Sequence, residues 1–495
     1  MENRTLDPAG TFSIIDQFLI HQLYPVLVNS KPGSADLEPD ITVSAEYIAP
    51  TTYRVVLKPN LKFANGNALT ASDVAFSLNR QINLADEFGP SVLLGNLVEA
   101  KIVDELTVDL EVTVNFDQTL PHALSSIAGA IVDEEEFEAG RIMTNEEIVE
   151  GSGFAGPYLI GAFELNEVIE FLPNPEYQGL WDVKNSGVVV VNYDDPNNMV
   201  LDFEAGDLDL AMVHRTIANS DLSRVAASTG GVLHTGQPAE PGFLVFHLAQ
   251  GPFGSATDNP DPVKAKAVRQ AVAHLIGEKQ LAEDVFGDAR FAAYSTVPSA
   301  VFGSFPAFER YGLADGTPDQ AAAQAVLAEA GIDEQVTLDI TYSSGRFGQD
   351  LLPFYAILKQ QLEQGGHFKV NLANTDPSSW SQGRRENKFP MWGHQWGPDY
   401  GDPANYLAVI FRTGGALRAD YSNPELDTLF EQEASEPDRA KRAELLKQIQ
   451  ILISEDAPIV PLYETGRSLI ARDSIKGVSE TLDVSFKFRL ANLER

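Results

Sequence analysis

The residues best suited to hold a ligand lie in one stretch, Trp380 to Tyr406, reading WSQGRRENKFPMWGHQWGPDYGDPANY. Three of the four tryptophans of the chain sit here, at 380, 392 and 396, followed by Asp399, Tyr400 and Asp402. Aromatic faces can cover a ligand on a concave wall, and a shielded carboxylate can meet a cation. Arg384 and Arg385, just upstream, offer planar donor forks that suit a ligand carboxylate. Each of these residue types also has a plain structural use. Tryptophans plug core edges, aspartates beside proline and glycine make turns, and paired arginines are ordinary surface charge. Residue types alone leave both readings open.

Other chemistry finds little support. The eight histidines are dispersed, with no His-Glu-x-x-His helix, so no zinc site is expected. Walker-type loops, dinucleotide-type glycine fingerprints and the Gly-x-Ser-x-Gly turn of serine hydrolases are all missing from the sequence. The segment Asp258-Asn259-Pro260-Asp261 lacks the spaced ligands of a calcium loop and reads as a solvated turn. No cysteine is present, which excludes disulfides and thiolate nucleophiles. No cofactor and no metal is therefore expected, and none of these enzyme motifs is present. A hydrolase using two of the many carboxylates stands as a distant alternative.

The elements that must position these groups belong to an α/β chain of more than one domain. At 495 residues the sequence exceeds what one hydrophobic core supports. No apolar run approaches the roughly 20 residues needed to span a bilayer. The formal net charge of −36 repels phosphate backbones, so nucleic acid is not expected as a partner. Strand-like and helix-like patterns alternate. Thr52 to Leu57, Thr107 to Val114, Lys184 to Val191, Val336 to Tyr342 and Pro461 to Tyr463 read as strands. Thr70, with Asp73 three residues on, reads as a capped helix start. Val263 to Glu283 and Asp438 to Glu455 have helical spacing, with Leu445, Leu446, Ile449 and Ile453 of the latter facing inward. Two stretches rich in turn formers, Gly151 to Pro157 and Gly236 to Gly242, could be hinges.

Several blocks together resemble the extracellular solute-binding proteins of the oligopeptide/dipeptide/nickel family (family 5) along nearly the whole chain. They are Leu6-Asp7-Pro8; Tyr53 to Arg80 (YRVVLKPNLKFANGNALTASDVAFSLNR); Gly156-Pro157-Tyr158; Asn174-Pro175-Glu176-Tyr177; Val268-Arg269-Gln270-Ala271; Trp396 to Tyr406 with its Trp-x-x-Asp-Tyr-x-Asp-Pro pattern; Tyr421 to Asp427; and Asp456-Ala457-Pro458. Their order matches the family throughout.

The resemblance implies a two-lobed fold of the periplasmic-binding-protein type (type II) with a hinge and an additional inserted subdomain. Residues 1–25, 152–240 and 455–495 would form a discontinuous lobe I, 26–151 the insert, and 241–454 lobe II. It further implies capture of a di- to oligopeptide between the lobes and delivery to the permease and ATPase subunits of an ABC importer. Asp399 would pair with the ligand amino group. Gln395 and Gly397, flanking Trp396, and the stretch Phe12, Ser13 and Ile14 would run along the peptide backbone as added strands do. Trp392 and Tyr400 complete the expected site, with Arg384 or, second, Arg346 taking a ligand carboxylate. An oligosaccharide, an opine-like molecule or a metal chelate is the alternative ligand. The protein is expected to be a monomer outside the cytoplasmic membrane, in the periplasm or lipid-anchored at the surface, its export segment absent from this chain. Pro398, directly before Asp399, departs from the peptide binders and restricts the local backbone.

Overall fold

The computed structural model describes residues 5–164, 166–212, 219–482, 484 and 487–495. Its largest sheet has six strands in the order Phe291–Ala292, Ile459–Thr465, Glu240–Phe246, Met391–Gln395, Val336–Tyr342 and Phe368–Asn374. The Val336–Tyr342 strand runs parallel to both of its neighbours, while Glu240–Phe246 runs antiparallel to both of its own. The parallel strands are joined through the helices Leu351–Glu363 and Pro377–Arg385, the crossover connection that parallel pairing requires. Both Glu240–Phe246 and Ile459–Thr465 are buried at every position, as expected of strands covered on both faces. They belong to the largest apolar core, which runs from Phe243 to Tyr463.

A second core covers Leu27 to Ala155 and is built on a four-stranded antiparallel sheet, Thr42–Ala49, Thr52–Leu57, Thr107–Val112 and Leu97–Asp104. A third combines the Ile14–Leu23 helix, the Tyr158–Glu164 and Val168–Pro173 strands and the C-terminal residues up to Ala491. The protein is thus α/β and two-lobed, with this additional sheet-bearing unit.

Two strands pass side by side from one sheet to the next. Gly231–Thr235 leads into Glu240–Phe246, and Ile459–Thr465 leads into Ser468–Arg472. At the crossing the Gly236 amide donates to the Arg467 carbonyl at 2.8 Å and the Ala239 amide to the Thr465 carbonyl at 3.0 Å. A Cβ on Gly466 would overlap the Gly236 carbonyl, so glycine is needed for so close an approach. The stretch Gly236 to Gly242 lies at this crossing. Gly151 to Pro157 does not; it is pinned by the Gly156 amide donating to Leu23.

Local signals in the sequence reappear with small shifts. Thr70 and Asp73 form the reciprocal cap of the Ala71–Leu84 helix. The expected helix from 263 to 283 is two helices, Pro262–Leu275 and Glu278–Phe286, broken at Ile276 and Gly277. Lys184 to Gly187 stay outside their strand, which is Val188–Val191. The Arg439–Asp456 helix is capped by Asp438, and it buries Arg442 and Gln450 beside its apolar stripe.

Candidate ligand-binding site

Open α/β sheets bind ligands beyond the carboxyl ends of their parallel strands. Here those ends are Tyr342, Asn374 and Gln395. The segments that follow carry Arg346, Trp380 and the Trp396 to Asp399 loop. Ring contacts join them. Trp380 stacks on His394 with centroids 5.3 Å apart, and His394 meets Trp396 edge-on at 6.3 Å. The Arg346 guanidinium lies 5.3 Å from the Trp380 ring centroid and that of Arg384 5.5 Å, in the range of cation–π attraction.

Asp399 is held by Asn405, a fully buried residue of the short Pro403–Tyr406 helix. The Asn405 Oδ1 accepts from the Asp399 amide at 3.1 Å and from the Trp396 Nε1 at 3.2 Å, while its Nδ2 donates to Asp399 Oδ2 at 3.3 Å. One side chain thereby orients both the carboxylate and the neighbouring ring. Burial raises the Asp399 pKa to about 6, and the Asn405 hydrogen bond only partly offsets that rise. No arginine or lysine among the described residues pairs with this carboxylate. Some of its surface remains accessible, so an incoming ammonium can reach it.

The loop is anchored beneath by an ion cluster. Arg442 binds Asp402 through both terminal nitrogens, at 2.8 and 2.7 Å, and also binds Glu433 Oε1 at 2.9 and 2.5 Å. Burial works against all three charges. Arg442 and His122 nevertheless hold the Asp402 pKa below the usual range, whereas burial dominates at Glu433 and lifts it to about 7. One guanidinium faces two carboxylates, and the bidentate partner keeps the charge. His122 Nε2 approaches Asp402 Oδ2 at 3.4 Å, and its ring lies against Tyr400. The Gln118 amide donates to the Ala434 carbonyl at 2.9 Å. The second core thus touches the site loop.

Gln395 continues the sheet, with its side chain amide donating to Glu240 at 2.7 Å. Glu240 in turn lies 3.7 Å from Arg467 at the strand crossing. The Trp396 amide donates to the Pro241 carbonyl, leaving Gly397 partly exposed as the loop departs.

Several expected site residues are placed elsewhere. Trp392 is 2% exposed and its ring packs on His247 within the core, so it plugs the sheet and cannot line a cleft. Arg384 has Nη1 donating to the Ala416 carbonyl at 3.0 Å. Burial and three neighbouring arginines bring its pKa down to about 10. It is a pinned, half-buried group, whereas Arg346 is exposed. Tyr400 is buried against His122. Phe12 and Ser13 precede the Ile14–Leu23 helix, and Ser13 caps it by accepting from the Asp16 amide. Ile14 is helical, so the extended backbone expected over Phe12 to Ile14 ends at Ser13. The Ile14 side chain lies outside the described residues.

The model of the family described as "Bacterial extracellular solute-binding proteins, family 5 Middle" matches residues 36–417. The chain belongs to this family. Among relatives of this solute-binding protein, the periplasmic murein peptide-binding protein MppA of Escherichia coli is 22% identical over 98% of this chain and 90% of its own length. The dipeptide-binding protein DppE of Bacillus subtilis is 22% identical over 86% of this chain and 78% of its own. Among solved structures, the substrate-binding protein CtaP of Listeria monocytogenes superimposes with a TM-score of 0.82 at 19% identity, covering 100% of this chain and 97% of that one.

Asn405, His122, Arg442 and Glu240 were not singled out by the sequence. The signal for Asn405 is its place in the Trp-x-x-Asp-Tyr block, six residues past Asp399. His122, Arg442 and Glu240 are remote in sequence from what they touch.

Proposed function

We propose that this solute-binding protein captures a di- to oligopeptide by its amino end and delivers it to the permease and ATPase subunits of an ABC importer. The observation that carries the reading is Asp399, a shielded carboxylate without a cationic partner among the described residues, oriented by Asn405 and lifted to about 6. A ligand ammonium would supply the missing charge through a charge-assisted hydrogen bond. Relatives named for murein-peptide, dipeptide and oligopeptide binding agree with it.

Arg346 is the better-placed carboxylate partner, being exposed in the segment after the Val336–Tyr342 strand. Gln395 and Gly397 would offer main-chain groups, and Phe12 with Ser13 the facing segment. In this reading the lobes divide at the strand crossing, near 236–239 and 465–467, and the place of Ile459–Thr465 in the large sheet supports that division. A boundary at 455 would cut that sheet. Residues 26–151 form the insert, and the monomer works outside the cytoplasmic membrane.

Native mass spectrometry of the purified protein, before and after mild denaturation, tests this reading. A heterogeneous set of peptide masses, lost in Asp399→Ala, is the expected result. A single sugar or chelate mass, or peptide retention unchanged by the substitution, would overturn it.

A further inference from the structure

Positive charge is gathered unevenly on this acidic protein. The chain has 71 acidic and 35 Lys and Arg residues, and many of its described arginines are tied to carboxylates, as Arg54 is to Asp109, Arg80 to Asp7 and Arg442 to Asp402. One group departs from this pattern. Arg385, Arg412 and Arg418 line a cavity of about 530 Å³ together with Thr413, Ser422 and Asp420. None of the three arginines has a carboxylate within ion-pair distance among the described residues. Arg384 stands close enough that Arg418, Arg346 and Arg385 help depress its pKa, after burial. The single lining carboxylate, Asp420, lies 3.7 Å from His247 Nδ1.

Crowding like charges costs energy that paired carboxylates would relieve. Acidic residues outnumber basic ones about two to one here, yet among the described residues none comes within ion-pair distance of these guanidiniums. Glu386 pairs with Lys388, which lowers its pKa more than the Arg385 charge does. The backbone adds a second oddity. Arg418 and Asp420 are both held in left-handed conformations, φ 54° and 53°. Side-chain-bearing residues avoid this region, and such conformations gather at ligand clamps. Thr413 is fixed by its hydroxyl donating to Asp427.

The cavity lies apart from the Asp399 end of the candidate peptide site. Arg385 and Asn387 precede the Met391–Gln395 strand, whose far end leads to Trp396 and Asp399. Five strand residues at about 3.3 Å each separate the two ends by roughly 15 Å.

We propose that this arginine-lined cavity binds a small polyanion bearing phosphate groups. Guanidinium forks match phosphate oxygens bidentately, and three of them around one cavity suit a ligand carrying more than one negative charge.

Titration calorimetry of the whole protein with inorganic pyrophosphate at physiological salt tests the site. Saturable binding is expected. It should weaken at least about tenfold in R412A/R418A, since each charged hydrogen bond lost accounts for about that factor. R412K/R418K, which keeps the charge and loses the fork, should fall in between. An unchanged melting temperature confirms that both variants are folded. Absence of saturable binding, or equal affinity in R412A/R418A, would overturn the proposal. Sedimentation with vesicles containing anionic phospholipid separates the sources of the phosphate. Binding displaced by pyrophosphate and lost in R412A/R418A supports the site and makes a lipid headgroup its ligand, whereas vesicle binding indifferent to both counts against it. Asp399→Ala should leave pyrophosphate binding intact, so this site and the peptide site fail or stand separately.

Discussion

Asn405 holds Asp399 from two directions, its Oδ1 accepting from the Asp399 amide at 3.1 Å and its Nδ2 donating to the Asp399 carboxylate at 3.3 Å. Asn405→Ala removes both contacts and the partner of Trp396 Nε1. Peptide affinity should fall about tenfold, and stability by about 1–3 kcal/mol, the cost of buried polar groups left without partners. Calorimetry and urea unfolding of the same variant measure the two effects.

Ligand binding should depend on pH through Asp399. With its pKa near 6, the carboxylate is charged above that value and neutral below it. Affinity for an amine-bearing ligand should be level above about pH 7 and then fall by up to about tenfold per unit as the pH drops below 6. In Asp399→Asn this slope should vanish along with most of the affinity. A titration at fixed ionic strength would contradict the assignment if the wild-type affinity stayed flat from pH 7 to 5.

The same carboxylate should cost the empty protein stability. A raised folded pKa means that the native state binds more protons than the unfolded chain between about pH 4 and pH 6. Stability contributed by the neutral form is therefore present at low pH and lost as the pH rises through this window. Asp399→Asn should melt at a higher temperature than wild type at pH 7, with the difference gone near pH 4. Thermal melts without ligand at the two pH values check this.

Asp402 and Arg442 are 1% and 6% exposed, so removing either leaves a buried charge. Arg442→Ala, which strands two buried carboxylates, should cost about 3–5 kcal/mol, and Asp402→Asn less, because Arg442 keeps Glu433 as a partner. The double substitution should cost less than the sum, because the two residues share one interaction. Guanidinium unfolding of the three variants gives the coupling directly. Both singles should also weaken peptide binding, since the Asp402 side chain caps the helix that carries Asn405.

Asp7 of the Leu-Asp-Pro block meets Arg80, the last residue of the Tyr53-to-Arg80 block, at 2.9 and 2.6 Å with both groups buried. Arg80→Lys keeps the charge and loses the planar fork. It should destabilise by about 1–3 kcal/mol while leaving ligand affinity nearly unchanged, as this pair ties the N-terminal segment to the second core. An affinity loss equal to that of Asn405→Ala would contradict a purely structural role.

The amino-acid sequence determined what is local or patterned. Thr70 and Asp73 announced their helix because a cap needs only residues three apart. The ordered blocks around Asp7, Tyr53, Val268 and Trp396 carried the family and hence the fold. The position of Asp399 came with its block. What sequence left open depended on contacts between residues far apart in the chain. Trp392 and Trp396 look equivalent four positions apart, yet the sheet buries the first under His247 while the loop leaves the second half-open. Nothing in the pattern of its helix marked Arg442, which pairs with Asp402, forty residues away in the chain, and with Glu433. Arg346 and Arg384 could be ranked only once one was seen exposed and the other pinned to the Ala416 carbonyl. Burial and partners shift a group's pKa and fix its role, and tertiary packing alone decides both.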